Sequence, residues 1–175
     1  MAQSKKTKRG VERGQAALEL VFQIPLMLVI LFGCVQLARV FYLYHTMQKA
    51  LRGGAALIAR SVNVNYCSPA DVTLTSARNY MVYGNLQGEG TPLLPGFTPD
   101  IIQIFPERVV TGTTTVEACT CTGDTDGCDV SSGGRAPDFV VVNLGDGFPL
   151  PVPFPFVSLG TINLKVSVRM PVTGG

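Results

Sequence analysis

Hydrophobic and polar positions divide the chain into a helical first third and a strand-rich remainder. Residues 20–38 contain no charged side chain. Further on, the apolar positions narrow to a stripe of Leu37, Val40, Phe41, Tyr44, Met47, Leu51, Ala55 and Ile58. Its steps are mostly of three and four residues, the helical period. The opposite face carries Arg39, His45, Lys49, Arg52 and Arg60. The pattern predicts one helix over residues 15–60, apolar all round in its first half and amphipathic in its second. The amphipathic half needs an apolar partner, and the simplest is the protein's own C-terminal part. Pro25 removes one helix hydrogen bond and is expected to bend the span. Gly33 and the Gly53-Gly54 pair are further soft points.

After Ser61 the pattern changes. NVNYCSP reads as a turn, and residues 71–83 as a short helix with Asp71 as N-cap and Gly84 as its stop. GNLQGEGTPLLPGFTPD is too rich in Gly and Pro for regular structure. Strand signals follow at residues 101–105, 108–116, 139–144 and 161–170. Between them lie a polar, cysteine-bearing loop, ACTCTGDTDGCDVSSGGR, and an extended stretch, PLPVPFPFVSLG. Pro149, Pro151, Pro153 and Pro155 argue against a central strand in the latter. The expected fold class is α+β: a long N-terminal transmembrane and amphipathic helix, then a short helix and a small antiparallel β-sheet domain. Residues 1–14 form a basic leader with no regular structure expected, 15–60 the helix, and 61–175 an exported α+β domain with a disulfide-bearing loop.

Composition and charge sharpen this picture. Only 15% of the 175 residues are charged and 46% are hydrophobic. Lys5, Lys6, Lys8, Arg9 and Arg13 crowd the start, while the net charge is only +2. No basic face interleaved with aromatics follows, which excludes a nucleic-acid module. At about 1.5 Å per residue, a helix over residues 20–38 nearly spans a hydrocarbon core of about 30 Å. The basic cluster before it places the N-terminus in the cytoplasm and the rest across the membrane. A cleaved signal peptide would have a shorter apolar run and a small-x-small site. Here Arg39, Phe41, Tyr42 and Tyr44 follow instead, as an interfacial belt. The expected location is the inner (cytoplasmic) membrane, single-pass, with a periplasmic or extracellular C-terminal domain.

Glu19 stands at the very edge of the apolar run, where a carboxylate is costly without a partner. It lies five residues after Gly14. That spacing, between a basic head and an apolar helix, is the spacing of a prepilin-peptidase site. Cleavage after Gly14 frees the α-amino group of Gln15. Glu19, one turn further on, is then placed to face the amine of a neighbouring subunit, lowering the cost of both charges. Gly at the cut permits the extended backbone a protease needs. Gly10 is a poorer candidate, because Gln15 stands five residues after it. The plainer reading of Glu19 is an acid favoured in the first turn of a helix.

Of the five cysteines, Cys34 falls in the span and reads as a buried apolar residue. Cys67, Cys119, Cys121 and Cys128 fall in the exported domain, where an even number suggests two disulfides. Pairing Cys119 with Cys121 closes too tight a ring. Cys67 then takes one of those two and Cys128 the other, with Cys67–Cys119 and Cys121–Cys128 slightly favoured. Four thiolates could also bind zinc, but paired C-x2-C knuckles are absent and the compartment is oxidising. No metal site is therefore expected. GDTDGCD (123–129) superficially resembles a calcium loop, but without the twelfth-position Glu it reads as a solvated turn. His45 is the only histidine, on the polar helix face. G-x-S-x-G, the P-loop and H-E-x-x-H are absent, and GNLQGEG lacks the preceding strand of a phosphate cradle. No catalytic constellation, cofactor or small-molecule substrate is expected.

The segment from Arg13 to Ser61, RGQAALELVFQIPLMLVILFGCVQLARVFYLYHTMQKALRGGAALIARS, resembles the TadE-like family of minor pseudopilins. The resemblance rests on Gly14, Ala16-Ala17, Glu19, Pro25, Phe32-Gly33, Phe41-Tyr42 and the RGGAALIAR tail. ARNYMVYGN, GTPLLPGFTPD and PFPFVSLGTINLKVSVRMP also look like the family, although Leu20 stands where family members tend to have an aromatic. The resemblance implies a pilin-like helix and a structural role in Tad (tight adherence, Flp) pilus assembly or secretion, not an enzyme. It implies as partners other pilins and pseudopilins, inner-membrane Tad assembly proteins, a prepilin peptidase and membrane lipid. Pro25, Gly33, Phe41, Leu51 and Ile58 are the expected helix-packing positions. An uncleaved single-pass scaffold of the same machinery is the second reading. A thiol-redox protein of the envelope, using Cys119 and Cys121, is the third, although redox motifs are usually C-x-x-C at a helix start. A general type II secretion pseudopilin is a close relative of the first reading.

Overall fold

The structure, a computed structural model, describes residues 4–124, 127–154 and 157–174. Residues 1–3 of the expected leader, 125–126 of the calcium-like turn, and Pro155 and Phe156 of the proline-rich stretch lie outside them. The chain divides into two compact units. One holds the residues up to Phe41 with Val152–Gly160; the other holds Tyr42–Pro151 with Thr161–Gly175.

Helix α1 runs from Ser4 to Arg60, and α2 from Val72 to Tyr83. The expected start of α1 at residue 15 is corrected: the helix begins eleven residues earlier. Between Ser4 and Gly14 the sequence is mainly Lys, Arg, Glu, Val, Thr and Gly, with no proline to stop a helix. α1 also continues through Pro25 as one element. At its far end the C-terminal segment supplies donors to helix carbonyls that have no intrahelical partner. Thr173 and Gly174 donate their backbone N–H groups to the Ala59 carbonyl, at 2.7 and 3.0 Å.

α2 forms where its caps place it. The Asp71 carboxylate accepts from the N–H groups of Thr73 (2.8 Å) and Leu74 (3.1 Å). Gly84 ends the helix at φ 75°, a conformation that suits glycine. The Gly53-Gly54 pair is not a soft point but a contact surface. A Cβ on Gly54 would overlap Met81, and one on Gly53 would lie 2.8 Å from Tyr80 Cε1. The missing side chains let α2 approach α1 closely.

Four strands form an antiparallel sheet in the order β2 (Val116–Ala118), β1 (Ile102–Val109), β3 (Phe139–Leu144), β6 (Ser167–Pro171). β4 (Phe148–Phe154) and β5 (Val157–Leu164) form a separate two-stranded sheet. The expected strands at 101–105 and 108–116 are instead one long strand and a short one. Pro106 does not break β1: it pairs with Val140, and its carbonyl accepts from Cys119 (3.0 Å) just past the end of β2. Its missing N–H therefore falls where β2 has already ended. The single strand expected at 161–170 is two strands, because the chain leaves one sheet at Leu164 and joins the other at Ser167.

Alternation sets the core. Val140, Val142 and Leu144 of β3 are buried and meet Leu74, Ala77 and Met81 of α2 and the α1 stripe in one cluster. The glycine- and proline-rich loop contributes too: Leu94 and Phe97 are buried, and Phe97 packs edge-on against Phe148 at 6.1 Å. The loop's irregular backbone is closed by Asn85, whose side-chain carbonyl accepts from Gly88 (2.8 Å) and Glu89 (3.2 Å). At the sheet surface Arg169 bridges Glu107 at 2.6 Å and lies over the Phe139 ring.

One buried polar atom stands out. The Tyr66 hydroxyl is shut from solvent with no hydrogen-bond partner among the described residues. Burial, with a smaller push from the Asp71 charge, raises its pKa from 10.0 to about 12. The fold thus favours the neutral phenol. Its contribution is fully present below pH 10.0 and is lost as pH rises to about 12. Tyr66→Phe is expected to raise stability at pH 7 by about 1 kcal/mol, since it removes an unpaired buried hydroxyl. It should also flatten that alkaline loss. Denaturant midpoints of the two proteins across pH 7–12 check both expectations.

Candidate functional site

The candidate site is α1 itself, read from its border at Gly14 inward. Among the described residues, Ala17–Arg60 is the helix long and apolar enough to cross a membrane, and none of its most apolar window is buried. Leu18, Val21, Phe22, Met27, Leu31 and Val35 are all exposed. A helix that is apolar all round and unburied needs lipid or other helices around it. The positions named as packing residues fall into two groups. Leu51 and Ile58 have no exposed surface and sit in the core of the second unit with Met47 and Ala55. Phe41 is 54% exposed, so the expected stripe does not bury from Leu37 onward; it becomes core from about Leu43 and Tyr44. Gly33 has no heavy atom within 4 Å of where a Cβ would stand, leaving that face open to a neighbour. His45, Lys49, Arg52 and Arg60 are exposed on the other face, as the pattern predicts.

Gly14, Gln15 and Glu19 all lie on the helix. The separation of Gly14 from Glu19 is about 7.5 Å along a helix axis. Gln15 and Glu19 are exposed, and Glu19 has no salt bridge to a described side chain. A protease cleft takes extended backbone, so cutting here requires local unwinding. Gly10 and Gly14 lower the cost of opening the helix here, by about 1 kcal/mol per glycine relative to alanine.

The four cysteines after α1 do pair, but not in the favoured connectivity. Cys67 joins Cys121 and Cys119 joins Cys128, with Cα separations of 5.5 and 5.8 Å. Gly127 N–H donates to the Asp124 carbonyl and Cys128 N–H to the Thr120 carbonyl (2.9 Å). That lays Cys128 beside Cys119 and leaves Cys121 for Cys67. Both sulfurs of the C-x-C are thereby held in separate bridges, which speaks against zinc and against a redox pair. Arg108 fixes the same loop by donating to the carbonyls of Gly127, Arg135 and Ala136. Within the calcium-like turn, Asp129 accepts from the hydroxyls of Ser131 (2.5 Å) and Ser132 (2.8 Å). Those bonds hold its carboxyl below the usual carboxylate range.

The Cys67–Cys121 bridge spans 54 residues and ties the turn after α1 to the loop after β2. Cys67→Ser with Cys121→Ser is expected to cost about 3–4 kcal/mol, mostly by freeing the unfolded chain. Removing the nine-residue bridge by Cys119→Ser with Cys128→Ser should cost less. Thermal unfolding of the two double variants checks the order.

Residues 14–56 match the family profile described as TadE-like protein. The match covers the span and the packing part of α1 as far as residue 56. No curated protein and no solved structure matches the chain.

Proposed function

We propose that this chain is a minor pseudopilin-like structural subunit of a Tad-type pilus assembly or secretion system. The TadE-like segment and the long apolar helix make it a membrane-anchored, Tad pilus-related protein. The observation that supports the finer role is the division of labour along α1. Its first half is apolar and exposed on every face, and its second half is the core of a disulfide-braced domain. A helix of that kind suits a subunit that waits in the membrane and packs laterally with other pilin helices. In this reading residues 1–14 are a cytoplasmic leader, the C-terminal domain lies outside the cytoplasm, and a prepilin peptidase cuts after Gly14. Its partners are then other pilins and pseudopilins, together with inner-membrane assembly proteins.

The experiment is intact-mass analysis of the protein from piliated cells and from cells without the prepilin peptidase. A chain beginning at Gln15 in the first and an uncut chain in the second is the expected result. Retention of residues 1–14 in piliated cells would favour an uncleaved scaffold of the same machinery.

A further inference from the structure

We infer that the open groove between α1 and α2 at the start of the second unit binds the phosphate headgroup of an anionic phospholipid. The inference rests on the membrane anchoring of α1. The groove holds about 550 Å³ and is lined by Tyr42, His45, Thr46 and Lys49 of α1, Tyr80 of α2, and Leu93 of the loop that follows. All six belong to the unit that begins at Tyr42. Tyr42, His45 and Lys49 follow one another at steps of three and four residues, so they share a face. All three are exposed. Tyr80 comes close because Gly53 has no side chain: a Cβ there would lie 2.8 Å from its ring and 3.6 Å from its hydroxyl. Gly53 is one turn beyond Lys49, which sets the phenol beside the ammonium's own face of α1.

Charge calls for an anion. Between Glu19 and Asp71 the chain has no Asp or Glu, yet it holds Arg39, His45, Lys49, Arg52 and Arg60. The ion pairs among the described residues, Arg135–Asp138 and Arg169–Glu107, use none of these. A merely solvated helix face gains by mixing signs in i,i+4 pairs, and this one has a single sign. In the orientation proposed above, Lys and Arg after the span also work against insertion. Depth selects which anion. Tyr42 is four residues past Ala38, the end of the charge-free run. At a helical rise that is about 6 Å, the depth of one headgroup layer of about 5–7 Å. Lys49 stands about 10 Å further along, but helical side chains slant toward the helix N-terminus, back along the chain toward the span. A long stem lying on α1 thus returns the ammonium toward Tyr42. The exposed Tyr42 ring and Leu93, 47% exposed, give the groove an apolar rim. That rim suits the glycerol and first acyl carbons of a lipid, and a free inorganic anion has no use for it.

The test is native mass spectrometry of the full chain in uncharged detergent, with phosphatidylglycerol and phosphatidylcholine supplied at equal concentration. One Lys or Arg beside an anionic lipid surface is worth about fivefold in binding. Phosphatidylglycerol is expected to be the preferred first adduct by at least that factor. Lys49→Gln should lower the preference about fivefold, and Lys49→Arg should keep it. Arg60→Gln, eleven residues further along α1, should leave it unchanged. Lys5→Gln with Lys6→Gln measures the share that belongs to the basic leader. An unchanged preference in Lys49→Gln overturns the inference, whatever the leader variant does. Displacement of the adduct by an equal concentration of inorganic phosphate overturns it too, since the groove would then be a site for free anions. Survival of the protease-resistant C-terminal fragment shows that Lys49→Gln is folded. Carbonate extraction of membranes tests the anchoring separately: a wild-type chain released by carbonate would remove the premise, and a retained chain with no effect of Lys49→Gln would remove the inference alone.

Discussion

Leu51→Asp is expected to leave the protein in the membrane and to abolish the protease-resistant C-terminal domain. Leu51 has no exposed surface and lies among Met47, Ala55, Ile58, Met81 and the β3 valines in one cluster. Among the described residues no cation is buried that could pair with a carboxylate there. An unpaired buried charge belongs to the few substitutions that cost more than about 4–5 kcal/mol. A small domain has only about 5–15 kcal/mol in all, so the domain should be largely unfolded. Ile58→Asp, two turns further along and equally buried, should do the same. Lys49→Asp, on the exposed face, should keep both the membrane insertion and the resistant fragment. Limited proteolysis of membranes carrying each variant, read as survival of the C-terminal fragment, gives the answer. Wild-type resistance in Leu51→Asp would mean that the stripe is not the domain's core.

The same stripe shows why so much of the fold is legible before the structure. Period and caps are local signals. Met47, Leu51, Ala55 and Ile58 repeat at helical spacing, and Asp71 and Gly84 bracket α2 by backbone chemistry alone. What was not legible depends on partners distant in sequence. Pro106 sits inside a strand because β2 stops before the proline's absent N–H matters. Phe97 enters the core from a loop with no periodicity, because Phe148 is waiting for it. The disulfide pairing goes with the backbone bond from Cys128 N–H to the Thr120 carbonyl, which the spacing of the cysteines does not encode. Phe41 has the right period for the stripe yet stays exposed, since period fixes a face and not where the domain begins to cover it.

Glu19→Gln carries the other large expected effect. The carboxylate is exposed at the edge of the unburied apolar stretch of α1, with no salt bridge to a described side chain. In the proposed assembly its partner is the amine of Gln15 on a neighbouring subunit, a group that exists only after cleavage. Gln keeps the size and helix propensity of Glu and removes the charge, so insertion and folding should be unchanged. Removing one partner of a buried ion pair costs about 3–5 kcal/mol, because the other charge is left unpaired. That cost recurs at every subunit contact and acts on assembly, not on the monomer. The plainer role of a helix-start acid is not open to Glu19, because α1 begins at Ser4 and no acid stands in its first turn.

The most direct measurement is therefore the number of pili on cells whose only copy of this protein carries Glu19→Gln, with membrane levels and disulfides shown to match wild type. Piliation is predicted to fall to that of cells lacking the protein altogether. Wild-type piliation would contradict the pseudopilin account and leave α1 as an anchor alone.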